Sequence, residues 1–240
     1  MEEKVIRRAL KVHLLGTKGE IESVAPHHSR KSGVMIGRLL FDIGECEFLK
    51  HRLRAIFITH LHPDHAFFTR GKGEPCGIGV SVYAPQKHEM CPNIRVFKST
   101  VCVVDYRVTP VPTVHSKTVK SQAYLIEKGK KRILYTGDMI WIEKKYHKYL
   151  KDLDAVITEA SFMRSGGMVR RDKTTGQIYG HTGIPDLVKL FSQFTHHIIF
   201  MHFGEWFYKD TRGAHKKFQK LARDNNIKIT VGYDGLEIKV

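Results

Sequence analysis

The chain has 240 residues, enough for one large domain with an ample core, and its apolar share of 42% is ordinary for a globular protein. Forty lysines and arginines face 24 acidic residues, giving a formal charge of +16 and a pI near 9.7. Such an imbalance points to a polyanionic partner and away from a lysine-rich surface balanced by glutamate. No apolar run approaches membrane-spanning length, and Met1-Glu-Glu-Lys-Val-Ile-Arg-Arg8 lacks the apolar stretch of a signal peptide. Cys46, Cys76, Cys91 and Cys102 form no C-x-x-C pair, so they read as buried, reduced thiols of a soluble cytoplasmic protein.

Short β-rich segments fill the first half, at 12–15, 33–42, 55–59, 80–84 and 101–108. Their β-branched content and flanking breakers are those of strands. A second series follows at 121–126, 132–136, 155–158, 197–201 and 227–231. Helical spacing of apolar residues begins at Pro185, which suits a first-turn position, and at Gly213, with Phe218 and Leu221 on the inner face. No repeat, low-complexity tract or linker interrupts the chain, so a single domain over 1–240 is expected. Two β-rich halves with helices outside predict an α/β fold, a four-layer αββα sandwich.

The most informative stretch is His60-Leu-His62-Pro-Asp64-His65, four metal-ligand types within six residues, directly after the apolar run 55–59. A strand ending there aims His60 and His62, two apart, to one side. Beyond the proline, Asp64 and His65 can turn toward a second point. Imidazole with carboxylate suits zinc, manganese or iron rather than calcium. A histidine-rich surface loop is the competing reading in a chain with 15 histidines.

Other residues end apolar runs in the same way. Asp42 closes 38–42, where it either orients the metal loop or serves as a turn residue. His115 follows 109–114, where a lone histidine is usually structural but beside three others reads as a ligand. Asp138 follows a strand and a glycine, where it either reaches a site at the mouth of a sheet and can bridge two metals or serves as a turn residue. His202 follows 197–201, whereas His196 and His197 start that strand at its far end.

Taken together, Leu39-Leu-Phe-Asp-Ile-Gly-Glu45, Thr59-His-Leu-His-Pro-Asp-His65, Val114-His115 and Thr136-Gly-Asp138 resemble, in order, the motifs of the metallo-β-lactamase superfamily. The resemblance implies the αββα fold and two divalent metal ions, zinc with manganese or iron as alternatives. One would take His60, His62 and His115, and the other Asp64, His65 and His202, with Asp138 bridging. Within the superfamily, Thr158-Glu159-Ala-Ser-Phe162 and Gly180-His181-Thr-Gly183 look most like the tRNase Z group of phosphodiesterases. There the equivalent histidine protonates the leaving oxygen and the glutamate steadies it. The chemistry stands unaided, because an alkoxide leaving group is helped by an acid of near-neutral pKa. Two cations would lower the pKa of a water between them, and Asp64 would take its proton.

Arg164, Arg170, Arg171 and Lys173 lie between the Glu159 and His181 motifs and would meet further substrate phosphates. The glycine-containing loop 165–176 is placed to cover the site, with a solvated hairpin as the other reading. The expected partner is a phosphodiester substrate, nucleic acid or nucleotide, without a membrane; relatives of the superfamily often form homodimers. This chain departs from tRNase Z in three places. Only 23 positions separate His115 from Asp138, room for two strands and a turn but not for a tRNA-gripping arm. His202-Phe-Gly-Glu-Trp206 lacks the arginine that usually follows that histidine, and Gly16-Thr-Lys-Gly19 matches the glycine-rich opening only loosely. Hydrolysis of carboxylic esters, thioesters or lactones on the same metals is the alternative enzyme reading. A nucleic-acid-binding protein with a structural metal is the non-enzymatic one, disfavoured because structural zinc sites are closed and usually cysteine-rich.

Overall fold

The structure is a computed structural model that describes residues 9–71 and 77–240. Its first half contains β1 (Lys11–Gly16), β2 (Gly33–Ile36), β3 (Leu39–Phe41), β4 (Ala55–Phe57), β5 (Ser81–Ala84), β6 (Ile94–Val96) and β7 (Val101–Val103). After these come β8 (Tyr106–Val114), β9 (Gln122–Lys128), β10 (Lys131–Tyr135), β11 (Trp141–Ile142), β12 (Ala155–Ala160), β13 (Met168–Arg171) and β14 (Ile178–His181). The chain ends with α1 (Ile184–Phe191), β15 (His197–Phe203), α2 (Glu205–Lys209), α3 (Thr211–Asp224), β16 (Lys228–Val231) and β17 (Glu237–Lys239).

Two sheets face each other. One has the order β17-β1-β2-β3-β4-β5-β6, the other β11-β8-β9-β10-β12-β15-β16 with β7 pairing β8. Each begins as an antiparallel meander and continues as parallel strands, from β3 onward in the first and from β10 onward in the second. Strand alternation sorts the side chains. Leu39, Phe41, Ala55 and Phe57 meet Ile133, Tyr135, Ile157 and Ile199 between the sheets. Leu40, Ile56 and Ile58 point to the outer face of the first sheet, and Leu134, Val156 and Ile198 to that of the second.

The outer layers differ. On the second sheet lie α1, with Ile184, Leu187, Val188 and Phe191 buried at helical spacing, and α3, capped where Asp210 accepts from the Gly213 N–H at 2.8 Å. On the first sheet, among the described residues, the covering elements are 3-10 turns at Cys46–Lys50 and Phe67–Arg70, which contribute Phe48 and Phe68. The sandwich expected from the sequence is thus present with 3-10 turns as its fourth layer.

Several expectations are corrected. Segment 33–42 is a hairpin of two strands, because Gly37 at φ +62° makes the turn and Tyr106 occupies the space a Cβ would need. Segment 101–108 likewise splits into β7 and β8, the turn carrying Val104 at φ +58°. Of the thiols, Cys91 is buried, Cys46 and Cys102 are exposed, and Cys76 lies outside the described residues, as does the 1–8 segment. Among the described residues no helix is long and apolar enough to cross a membrane. Between His115 and Asp138 the chain makes β9, a turn at Gly129 and β10, with no arm.

Candidate metal centre

Every functional candidate sits at or just past the C-terminal end of a strand: Asp42 after β3, His60 after β4, His115 after β8, Asp138 after β10, Glu159 in β12 and His202 in β15. Asp42, His60, Asp138, Glu159 and His202 thus lie at the ends of strands with a parallel neighbour, where open α/β sheets present ligand-binding groups, and His115 joins them from the antiparallel β8.

The loop 60–65 is held by its backbone. His65 and Ala66 N–H groups donate to His62 O at 3.0 and 2.9 Å, closing a turn around Pro63. Ile43 and Ser32 N–H groups donate to His65 O and Asp64 O at 2.8 and 3.1 Å, tying the loop to its neighbours. Asp42, fully buried at φ +57°, accepts from Thr59 N–H (2.7 Å), Thr59 O–H (2.8 Å), Tyr135 O–H (2.7 Å) and His65 Nδ1–H (2.7 Å). It is both the turn residue and the orienting group. Gly137, at φ +59°, carries the turn before Asp138, and a Cβ there would lie 2.5 Å from Thr59 Oγ1.

His202 reaches the site through an irregularity. Glu159 pairs with Met201 and Ala160 with Phe203, so His202 is the extra residue of a bulge, at φ +53°. Bulges re-aim a side chain. Here the imidazole is turned from the strand's ordinary alternation toward Asp64 Oδ2, 2.8 Å from its Nε2, and toward Asp138 Oδ1, 3.4 Å from its Nδ1.

The side chains fall into two sets whose ligand atoms lie within 4.8 Å of one another: His60, His62 and His115, and Asp64, His65, Asp138 and His202. Asp138 lies between them, 3.8 Å from both His60 Nε2 and His115 Nε2 and 3.3 Å from His65 Nε2. A third set joins His115, Asp138 and His181. In that set His181 Nδ1, the atom 3.8 Å from Asp138, is already bonded to Glu159 Oε2 at 2.7 Å.

These residues fit a divalent cation on physical grounds. His60 Nε2, His65 Nε2 and Asp138 Oδ1 are buried without a hydrogen-bond partner. Leaving a buried polar atom unpaired costs about 1–3 kcal/mol, so three in one cluster ask for a shared partner. The opposite ring nitrogens are engaged: His60 Nδ1 lies 3.1 Å from Thr59 Oγ1, His65 Nδ1–H donates to Asp42, and His115 Nδ1–H donates to Gly180 O at 2.9 Å. Fixing one ring nitrogen to aim the other is the outer-shell arrangement of metal-ligating histidines.

The electrostatics are consistent. Burial, with the neighbouring imidazoles, holds His60 and His115 below the ordinary histidine value and His62 at about 4. Burial pulls His65 and His202 down too, but Asp138, Asp42 and Asp64 outweigh it at His65, and Asp138 and Asp64 do so at His202, raising both. Asp138 is pushed up by burial and carried well below the carboxylate range by His202 and His65. The cluster therefore holds positive charge around buried carboxylates, the place a cation would take.

His181 belongs to a separate pair. Burial lowers it, yet Glu159 and Asp138 lift it to about 9. The Glu159 carboxylate accepts from His181 Nδ1–H at 2.7 Å and from Met139 N–H at 2.7 Å, which leaves His181 Nε2 as the available nitrogen. Ser161 Oγ lies 3.3 Å from His181 Nδ1 and 3.2 Å from His202 Nδ1, linking the pair to the ligand set. No role for Ser161 was visible in the sequence, although strand alternation places it on the same face as Glu159. His197 stays away from the site, bonded to Thr230 Oγ1 at 2.9 Å, and His196 is exposed.

The basic residues are placed differently. Arg164, Arg170, Arg171 and Lys173 are all exposed. Arg164 Nε–H donates to Gly167 O (2.8 Å) and Arg171 to Gly176 O (3.1 Å), so both brace the chain locally. Segment 165–176 supplies β13 and the turn of the β13–β14 hairpin, and it is β14 that packs beside His115, whose carbonyl accepts from Gly180 N–H at 2.6 Å.

Two half-meander, half-parallel sheets converging on partnerless buried imidazole and carboxylate atoms make this a metal-dependent hydrolase of the metallo-β-lactamase fold. Sequence agrees: residues 45–203 match the β-lactamase superfamily domain, and the chain belongs to that family. The metallo-β-lactamase fold protein YhfI from Bacillus subtilis superposes with a TM-score of 0.71 at 16% identity, over 97% of this chain and 100% of that one. A diphosphatase of the PhnP family gives 0.64 at 17%, over 96% and 98%. Human tRNase Z, short form, gives 0.59 at 19%, over 95% and 98%. At these identities the likeness is one of fold. None of the curated proteins matches the chain.

Proposed function

We propose that the protein is a phosphodiesterase acting on nucleic acid or a nucleotide with two divalent cations, of which zinc, manganese and iron suit the donors. His60, His62 and His115 would hold one, Asp64, His65 and His202 the other, and Asp138 both. When bound, such cations activate a water and draw charge from phosphate oxygens. Asp64 would take the proton of the attacking water. His181 Nε2–H donates to the leaving oxygen, while Glu159 keeps the imidazolium charge in place. The observation that carries this reading is the Glu159–His181 pair at 2.7 Å, because a carboxylate-steadied imidazolium is suited to an alkoxide leaving group. Carboxylic esters and lactones expel alkoxides too; what favours a phosphodiester over them is the formal charge of +16, which suits an anionic substrate.

The test compares leaving groups. Wild type and His181→Ala, each loaded with metal, are assayed on a dinucleotide, on bis-p-nitrophenyl phosphate and on a lactone panel. The dinucleotide leaves as an alkoxide and should slow by about 10²–10⁴-fold in the variant. The nitrophenyl ester, whose leaving group needs no proton, should slow by less than about 10-fold. Metal content should stay equal. Equal losses on both esters, or a wild type that prefers lactones, would sink the reading.

A further inference from the structure

A cleft of about 1010 Å³ lies beside the metal centre and meets it at His115. Its volume is at the upper end of ligand pockets and exceeds what one scissile phosphate needs. His115 forms its inner wall. Trp141, opposite Val114 in the β8–β11 register, stands along it and remains 37% exposed. Lys98, Lys117 and Lys120 line the cleft, and among the described residues no aspartate or glutamate does. Lys117 pairs with Asp172 at 3.2 Å, whereas Lys98 and Lys120 make no ion pair among the described residues. The far end of the β13–β14 hairpin closes the opposite side, where Gln177 Nε2–H donates to Ser116 O at 3.2 Å.

A carboxylate-free wall of lysines beside an exposed indole matches an alternating ligand of anionic and flat aromatic groups. Lysines track phosphates without reading sequence, and an aromatic face accepts any base by stacking. An apolar partner would gain nothing from the lysines, and a second copy of this strongly basic chain would be repelled by them. We propose that the cleft holds a single-stranded segment of nucleic acid leading away from a scissile phosphate beside His115, with phosphates on Lys98 and Lys120 and a base on Trp141. This rests on the phosphodiesterase reading and extends it, making the substrate a strand rather than a mononucleotide.

Fluorescein-labelled dodecamers of U and of dT are titrated against metal-loaded wild type, Trp141→Ala and the double variant Lys98→Ala/Lys120→Ala. Anisotropy gives Kd over a range of salt, and turnover of bis-p-nitrophenyl phosphate is measured in parallel. Each variant should bind about 10-fold more weakly. In the double variant the slope of log K against log salt should fall by about 1.4, two single-strand phosphate contacts. Small-ester turnover should stay within about two-fold, since neither change touches the metal ligands. The ratio of U to dT affinity in the wild type tells RNA from DNA. Unchanged dodecamer binding in both variants overturns the proposal. So does a matched loss of small-ester turnover, which would make the cleft a structural support of the centre, and so does a wild-type dimer that Trp141→Ala dissolves. A wild type that binds the strands yet hydrolyses no phosphodiester overturns the phosphodiesterase reading, while the variant titrations still judge the cleft.

Discussion

The loop 60–65 and the hairpin 168–181 both flank His115, yet they are built by opposite means. In the loop Asp64 and His65 are buried, backbone carbonyls are tied to Ile43 and Ser32, and Asp42 holds an imidazole from behind. On the hairpin Arg170, Arg171 and Lys173 are exposed, and its regularity comes from a two-stranded ladder pinned at Gly180 and Asp172. Low dielectric makes each charge in the loop costly unless partnered, so its residues are bound to definite positions. Water screens the hairpin's charges, and they can act on a mobile polyanion without a fixed geometry. One element places chemistry; the other offers attraction.

If that contrast is right, the largest effect comes from the loop's side. Asp138 lies between the two sets and is the carboxylate proposed to reach both cations, and Asp138→Asn keeps its shape while removing the charge. Metal content should fall below about two equivalents per chain, and turnover by about three orders of magnitude or more. Elemental analysis together with dinucleotide hydrolysis decides it, and a fully loaded, active variant would contradict the assignment. One step further out, Asp42→Asn leaves every proposed ligand intact but weakens the support of His65, Thr59 and Tyr135. Metal affinity should drop about 10–100-fold, read by competition with a chelating dye. An unchanged affinity would mean that Asp42 serves only as the turn residue its φ of +57° also makes it.

The same contrast governs how much was legible in the sequence. Apolar runs ending in His60, His115 and Asp138 announced strands that bring buried imidazole and carboxylate groups together, because burial leaves few other places for those side chains. The helices at 184–191 and 211–224 were visible through apolar spacing and the proline near the first turn. What stayed hidden depends on register. Nothing local marks His202 as the extra residue of a bulge, since the two-against-one pairing with β12 exists only between strands. The split of 33–42 turned on Gly37 meeting Tyr106, a contact across some seventy positions. Ser161 lay in plain view, but its link between His181 and His202 needs both β12 and β15 in place. Loop 165–176 read as loop or hairpin, because exposed strands of a two-stranded ladder carry little apolar alternation.

The smallest effect belongs to the hairpin. In Arg170→Ala/Arg171→Ala/Lys173→Ala the cation set is untouched, so metal content and small-ester turnover should equal wild type. Stability should move by about 0.5 kcal/mol per site or less, because the side chains are exposed and only Arg171 bonds its own turn. Three charges removed beside the site should raise KM for an oligonucleotide a few-fold at low salt, and the difference should vanish as salt rises. A salt-independent loss would instead mean bidentate, fixed contacts from Arg170 or Arg171 to a phosphate. The hairpin would then place chemistry as the loop does, and the division between the two elements would fail.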